Sequence, residues 1–462
     1  MAAAAGRMGL HAGGGSGRWH GGFWCWTSGV VVPQNGRVTS MLRFGWKTPR
    51  ALLFLLCSSL VMAPLSAQIR HVIHISVDGL RGDLLRGLLD APGAQYPGFL
   101  RLRAEGAVTF NARCDFDFST TTPNHIGMVT GLPVLAPASA PAWQQHGYQI
   151  NITAPDHILQ VNGVPPAYKF SVFDRVHDRG GRTMLLVSKN KLAILDRSYN
   201  EVNGAPDLEG EDNGRDKIDI TFANDGDSSI LAAVLVARME ADFPAYTFMH
   251  IFDPDAAGHG SGWGSMNWQL AVKHADSLLG FILSALELRP ALKRATALVV
   301  TADHGGGVPL FTHVDPIHRE NYTIPLIVWG PGVPAGSDAY ALFANRRDPG
   351  AGRPFPDALD PPLRNTDTGN IAMALLGLPP VQESYFRPDW ADGLRLQPLA
   401  DGRVECVWPM YLTGWTLETS VDLQAGTWGP VDSAPVAGAT HWRYVHSLAP
   451  AQQQFFRLRG PL

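Results

Sequence analysis

Residues 71–79 read His-Val-Ile-His-Ile-Ser-Val-Asp-Gly, a short apolar run rich in β-branched residues that stops at Asp78-Gly79. Such a run, bounded by a turn signal, predicts a buried strand whose carboxyl end carries an acid. The same grammar recurs along the chain. Tyr246 to Phe252 is expected to be a strand ending in Asp253-Pro254-Asp255. Ala297 to Thr301 is expected to be a strand ending at Asp303-His304. Further strands are predicted over 183–187 and 324–329, the latter ending in Gly330-Pro331-Gly332. Helices fall between them: 99–105, 168–178, 228–242, 267–288 and 367–376. In the fourth helix Trp268, Val272, Ala275, Leu279, Ile282 and Leu286 recur at spacings of three and four, the apolar stripe of an amphipathic helix. Strands alternating with helices through about residue 390 predict an α/β fold with a mostly parallel central sheet covered on both faces. In such sheets ligands gather at the carboxyl ends of strands, so acids far apart in sequence are expected to converge.

Outside this region the pattern changes. Residues 391–400 read as a linker. Residues 401–462 show short alternating strands (404–408, 414–419, 428–431, 441–445, 455–459) and are expected to form a small β-sandwich accessory module. At the other end, residues 1–40 show no clear period. From Met41 a basic region (Arg43, Lys47, Arg50) precedes the apolar run Ala51 to Met62 and the small residues Leu65-Ser66-Ala67. That order is a secretory signal, with cleavage expected after Ala67. The alternative, an uncleaved anchor, needs roughly 20 apolar residues. The expected organisation is a leader over 1–67, a catalytic domain over 68–390 and the β module over 401–462. The expected location is secreted or periplasmic, with no stable membrane span after cleavage.

The formal net charge is −4 over 462 residues. Residues 1–67 hold six basic side chains and no acidic one, so the remainder is more acidic still. A nucleic-acid-binding surface needs clustered Lys and Arg, and none is evident. Cys25 and Cys57 lie in the leader. Cys114 and Cys406 remain, and two distant cysteines predict neither a disulfide framework nor a thiolate site.

Four motifs carry the chemistry: Asp78 in SVDG; Thr120-Thr121-Thr122-Pro123-Asn124-His125; Asp255-Ala256-Ala257-Gly258-His259; and Asp303-His304-Gly305-Gly306-Gly307, followed by His313. Taken singly, each has an ordinary explanation: an acid after a strand is usually a turn or a helix cap, and Thr-rich or Gly-rich segments are usually loops. Their joint occurrence in this order is harder to explain that way. Hydrolysis of a phosphate ester needs stabilisation of the attacking, leaving and equatorial oxygens. Two metal ions about 4 Å apart can hold both axial oxygens, and Asp and His are suitable ligands for zinc. A threonine hydroxyl becomes nucleophilic only when its proton is made easier to lose. Pro123 suits the first turn of a helix, whose N–H groups would face phosphoryl oxygens.

These motifs resemble the alkaline phosphatase superfamily, and within it the type I phosphodiesterase/nucleotide pyrophosphatase family. The similarity rests on Thr121-Thr122-Pro123-Asn124-His125, Pro254-Asp255-Ala256-Ala257-Gly258-His259 and Asp303-His304-Gly305, and it spans about residues 70–380. It implies an alkaline-phosphatase-like fold, a phospho-threonine intermediate on Thr121 and two divalent metal ions, with zinc as the family default. One ion would be held by Asp78, Thr121, Asp303 and His304, the other by Asp255, His259 and His313. His318 also precedes the strand at 324–329, but His313 fits the family spacing. His146-Gly147-Tyr148-Gln149-Ile150-Asn151 fits the family segment whose Asn bonds a phosphoryl oxygen, although Asn151-Ile152-Thr153 is also a glycosylation sequon. Lys189-Asn190-Lys191 resembles the Lys-x-Lys of phosphonoacetate hydrolases and would meet an anionic substrate; a solvated lysine pair is the plain alternative.

The family commonly has an aromatic after the nucleophile, where Thr122 stands, so nucleotide preference does not carry over. Sulfatase chemistry needs a Cys or Ser that becomes formylglycine, which Thr121 cannot supply. Three readings follow: a phosphodiester or phosphate-ester hydrolase acting on a small phosphorylated substrate; a monoesterase or phosphonate hydrolase, favoured by Lys189 and Lys191; and a secreted binding protein without catalysis, which the full ligand set opposes. The β module would serve attachment to a surface or glycan.

Overall fold

A computed structural model describes residues 69–154, 156–162 and 167–390, and beyond them 394–399, 403–409, 412, 415–421, 427–437, 441–447 and 454–459. The leader, its signal and its cleavage point lie outside the described residues. No described helix is long and apolar enough to cross a membrane.

The run at 71–77 forms strand β1 (His71–Val77). It joins β2 (Ala107–Arg113), β3 (Thr183–Val187), β4 (Ile220–Ala223), β5 (Tyr246–Ile251), β6 (Thr296–Thr301), β7 (Thr323–Trp329) and β8 (Ser337–Asp338) in one sheet of order β4-β3-β5-β1-β6-β7-β2-β8. β4, β3, β5, β1 and β6 run parallel. β7 runs antiparallel to both β6 and β2. The sheet is therefore mostly parallel, as expected for an alkaline-phosphatase-like α/β fold. β3, β5, β6 and β7 are buried along their whole length, which is why they read as continuous apolar runs rather than alternating ones.

Three helices matter for the site. α1 (Thr121–Thr130) is buried throughout and ends at Gly131, which takes the left-handed φ of 65° and returns its N–H to Gly127, a cap that favours glycine. α2 (Asp253–Ser261) carries Pro254 in its first turn. α3 (Met266–Glu287) is capped by the Ser265 hydroxyl, and all six residues of the expected apolar stripe are buried.

Several elements depart from expectation. Asp253-Pro254-Asp255 is not the tail of β5 but the first turn of α2, where proline's missing N–H costs nothing. The helix expected over 168–178 spans only Val172–His177, because Ser171 and Asp174 form a capping box that starts it late. β2 and β4 carry mixed polar and apolar residues and gave no strand signal. In the C-terminal region, Arg395–Pro398 is a strand rather than part of a linker, pairing with Arg403–Pro409. That region forms two antiparallel sheets, one of four strands and one of three. Cys114 and Cys406 are both buried free thiols.

Candidate metal centre

β5, β1 and β6 are neighbours in the sheet. Asp78 follows β1, Asp303 follows β6, and Asp255 sits in the first turn of α2 just beyond β5. Three parallel strands side by side thus deliver three buried carboxylates to one edge. Gly79 permits their close approach. Its φ is 67°, and a Cβ there would lie 2.8 Å from the Cα of Asp255, so both its conformation and its size are demanded.

Three of the imidazoles around the carboxylates are those expected as ligands. His259 lies one turn after Asp255 on α2, and its Nε2 is 3.4 Å from Asp255 Oδ1. His313 Nε2 is 3.6 Å from the same oxygen. His304 Nε2 lies 3.1 Å from Asp303 Oδ2 and 3.4 Å from Asp78 Oδ1. In each ring the other nitrogen, Nδ1, meets a backbone carbonyl: Phe311 for His259, Gly305 for His304 and Ser119 for His313. Donation from Nδ1 would leave Nε2 free to ligate a metal, in place of the proton that the carboxylates otherwise hold on His304. The ring of His313 stacks on that of His304 at 3.5 Å. Thr121 opens α1, and its Oγ1 is 3.4 Å from His304 Nε2.

A metal fits this donor set. Asp78 Oδ1, Asp255 Oδ1 and Asp303 Oδ2 are buried and have no hydrogen-bond partner, an expensive arrangement for anionic oxygens. Asp255, His259 and His313 converge closely enough to share one ion, and so do Asp78, Asp255 and His304. The field also favours a cation. Burial disfavours a charged His304, yet Asp303 and then Asp78 outweigh it and raise its pKa to about 9. Burial, with His304 beside it, lowers His313 to about 4.

The remaining expected residues separate. Asn151 Oδ1 accepts from the Thr122 N–H (3.0 Å) and from Lys191 Nζ (3.2 Å), so Asn151 and Lys191 meet at the start of α1. Lys189 Nζ instead donates to Asp78 and Asp255. His318 stands apart, next to Asp315, and His313 takes the place in the cluster. Two participants gave no sequence signal. His250, on β5, reads as a core residue, yet its Nε2 is 3.0 Å from Asp78 Oδ2. Asn365 donates to the backbone carbonyls of Ala302 and Asp303 and to Asn124 Oδ1, tying the end of β6 to α1.

Residues 165–329 match the type I phosphodiesterase / nucleotide pyrophosphatase family. The phosphodiesterase match takes in Asp255, His259, Asp303, His304 and His313 and meets the resemblance read from the motifs. The chain is accordingly a hydrolase of the phosphoester class. No curated protein matches it. Among solved structures, it is similar to murine ectonucleotide pyrophosphatase/phosphodiesterase 5, at 14% identity over 68% of this chain and 96% of that one, with a TM-score of 0.44. It is also similar to a Vibrio parahaemolyticus protein of the alkaline phosphatase superfamily, at 13% identity over 79% of this chain and 83% of that one, with a TM-score of 0.43.

Proposed function

We propose that this chain is a secreted, two-metal hydrolase of phosphodiesters or related phosphate esters that works through a phospho-threonine intermediate on Thr121. The observation that carries this reading is the position of Thr121. It opens a buried helix, with its hydroxyl beside His304 and three unpartnered carboxylate oxygens close by. Asp78, Thr121, Asp303 and His304 would hold one divalent ion, and Asp255, His259 and His313 the other. Zinc suits these ligands. When bound, the ions supply charge stabilisation for the attacking and leaving oxygens.

The chain's own residues account for the rest. Thr121 Oγ1, once deprotonated, forms the bond to phosphorus while the bond to the leaving alkoxide breaks. Water then attacks phosphorus, releases the phosphoryl group and restores the hydroxyl. The Thr121 N–H at the start of α1 and the side-chain amide of Asn151, whose oxygen is taken by Thr122 and Lys191, would receive the equatorial oxygens. One observation favours a monoester or phosphonate as second reading. Lys191 Nζ lies beside Asn151, where an extra positive charge would reward a more highly charged substrate. The antiparallel sheets over 395–459 contribute no candidate ligand among their described residues. We assign them to attachment, and a chain ending at residue 394 that loses its turnover would refute that assignment.

The deciding experiment uses the chain from Gln68, loaded with zinc, on bis-p-nitrophenyl phosphate and p-nitrophenyl phosphate. Thr121→Ala is expected to lower turnover by roughly 10⁴-fold or more while still binding zinc. A diester preference supports the first reading and a monoester preference the second. Retained turnover in Thr121→Ala, or a wild-type protein that binds no metal, refutes the mechanism.

A further inference from the structure

Lys189 lies two residues beyond β3, and its ammonium joins two acids that belong to different ligand groups. It donates to Oδ2 of Asp78 and to Oδ2 of Asp255, each at 2.6 Å. Asp78 Oδ2 is also met by His250 Nε2 at 3.0 Å, and the His250 ring is steadied by Ser188 Oγ at 2.9 Å. The other oxygen of each acid is treated differently. Asp78 Oδ1 and Asp255 Oδ1 are buried without a hydrogen-bond partner. The first faces Nε2 of His304, and the second faces Nε2 of His259 and His313. Both carboxylates are therefore split in the same sense, one oxygen on the lysine and one towards the histidines.

We propose that Lys189 is a positioning residue: a resident cation that holds Oδ2 of Asp78 and of Asp255, so aiming Oδ1 of each at its histidines and joining the two ligand groups into one unit. Its meaning for catalysis rests on the metal-centre reading above, but the pairing itself does not. Three buried carboxylates meet here, and among the described residues Lys189 is the one Lys or Arg in an ion pair with any of them. Burial opposes the charged ammonium, yet Asp78 and then Asp255 outweigh it and raise its pKa above the ordinary lysine value. Because the ammonium uses the Oδ2 oxygens, it does not compete with an ion on the Oδ1 side. The neighbouring Lys191 has the different task of facing Asn151, so the Lys-x-Lys pair divides its labour: one lysine orders the site and the other is left for substrate.

The test begins with chelator-treated protein, so that its first readout is independent of metal. Lys189→Met leaves two buried carboxylates without their cation. Its melting temperature is expected to fall by roughly 5–10 °C. In the triple variant Lys189→Met, Asp78→Asn, Asp255→Asn, which removes the lysine together with both carboxylates it pairs, most of that loss is expected to return. In zinc-loaded Lys189→Met, kcat is expected to fall by about tenfold or more with KM held within about twofold, the signature of lost positioning. A chelated melting temperature within about 1 °C of wild type overturns the proposal. So does a tenfold rise in KM with kcat unchanged, which would give Lys189 to the substrate instead. If Lys189→Met alone does not fold, the triple variant decides: recovery of folded protein supports the proposal and continued failure overturns it. A wild-type chain that binds no zinc would defeat the proposed function, and the chelated melting comparison would still judge Lys189.

Discussion

The two ligand groups proposed for the site are built from unlike materials. The inner group (Asp78, Thr121, Asp303, His304) is wholly buried and is supplied by the ends of two adjacent strands and the first residue of a buried helix. The outer group (Asp255, His259, His313) draws on a short helix and a loop, and the side chain of His259 is 45% exposed. The inner group is thus set by the sheet itself, where a displacement would disturb the packed core. In the outer group Asp255 and His313 are buried too, and of its three residues His259 opens to solvent, where a substrate must enter. Under the proposed mechanism, rigid placement of Thr121 and access for the leaving group are separate requirements, met by separate parts.

That contrast is most strongly tested by removing one ligand from each side. Asp303→Ala is expected to abolish turnover with no rescue by added zinc, because Asp303 also accepts the Gly79 and His304 N–H groups and so shapes the inner loops. His259→Ala is expected to need about tenfold more zinc for half-maximal activity and then to recover much of it. Zinc titrations of turnover for both variants check this. Equal, unrescued losses would erase the distinction.

A smaller effect is expected at the seam between the two groups. Gly79→Ala forces a side chain into a left-handed conformation and against Asp255. A loss of about 1–3 kcal/mol in stability is expected from chemical denaturation, with outer-group zinc binding weakened more than the inner. Unchanged stability would mean that α2 can shift freely, and the outer group would then be looser than drawn here.

A last effect concerns what backs the inner group. Burial is the main cause that lowers His74 to about 3, His125 to about 4 and His146 to about 3, from an ordinary value of 6.5. A folded value below the unfolded one means that the unfolded chain takes up protons first as pH falls. The stability these rings contribute is therefore whole above about pH 6.5 and is lost as pH falls from there through 4. Melting temperatures of chelated protein are expected to decline steadily between pH 7 and pH 4.5. A flat profile would show that these histidines carry no such penalty.

Much of this was readable in the chain. The apolar runs at 71–77, 246–252, 297–301 and 324–329 announced buried strands, and α3 announced itself by its stripe. β2 and β4 were not readable, because their mixed residues sit towards the two ends of the sheet and lack a single period. The start of α2 was misread because Asp-Pro-Asp suits a loop as well as a first helical turn. His250 gave no signal because a histidine in a buried strand is ordinary until its partner is known.

By itself, the sequence determined which residue types could do the chemistry and that Asp78 and Asp303 would stand at strand ends, since periodicity and turn residues are local properties. Only the tertiary structure decided that β5, β1 and β6 are neighbours and that Lys189 and Lys191 part company. Those outcomes depend on strand order and on contacts between residues far apart in the chain, such as the 111 positions between Asp78 and Lys189. No local pattern encodes such contacts, because they follow from packing the whole sheet at once.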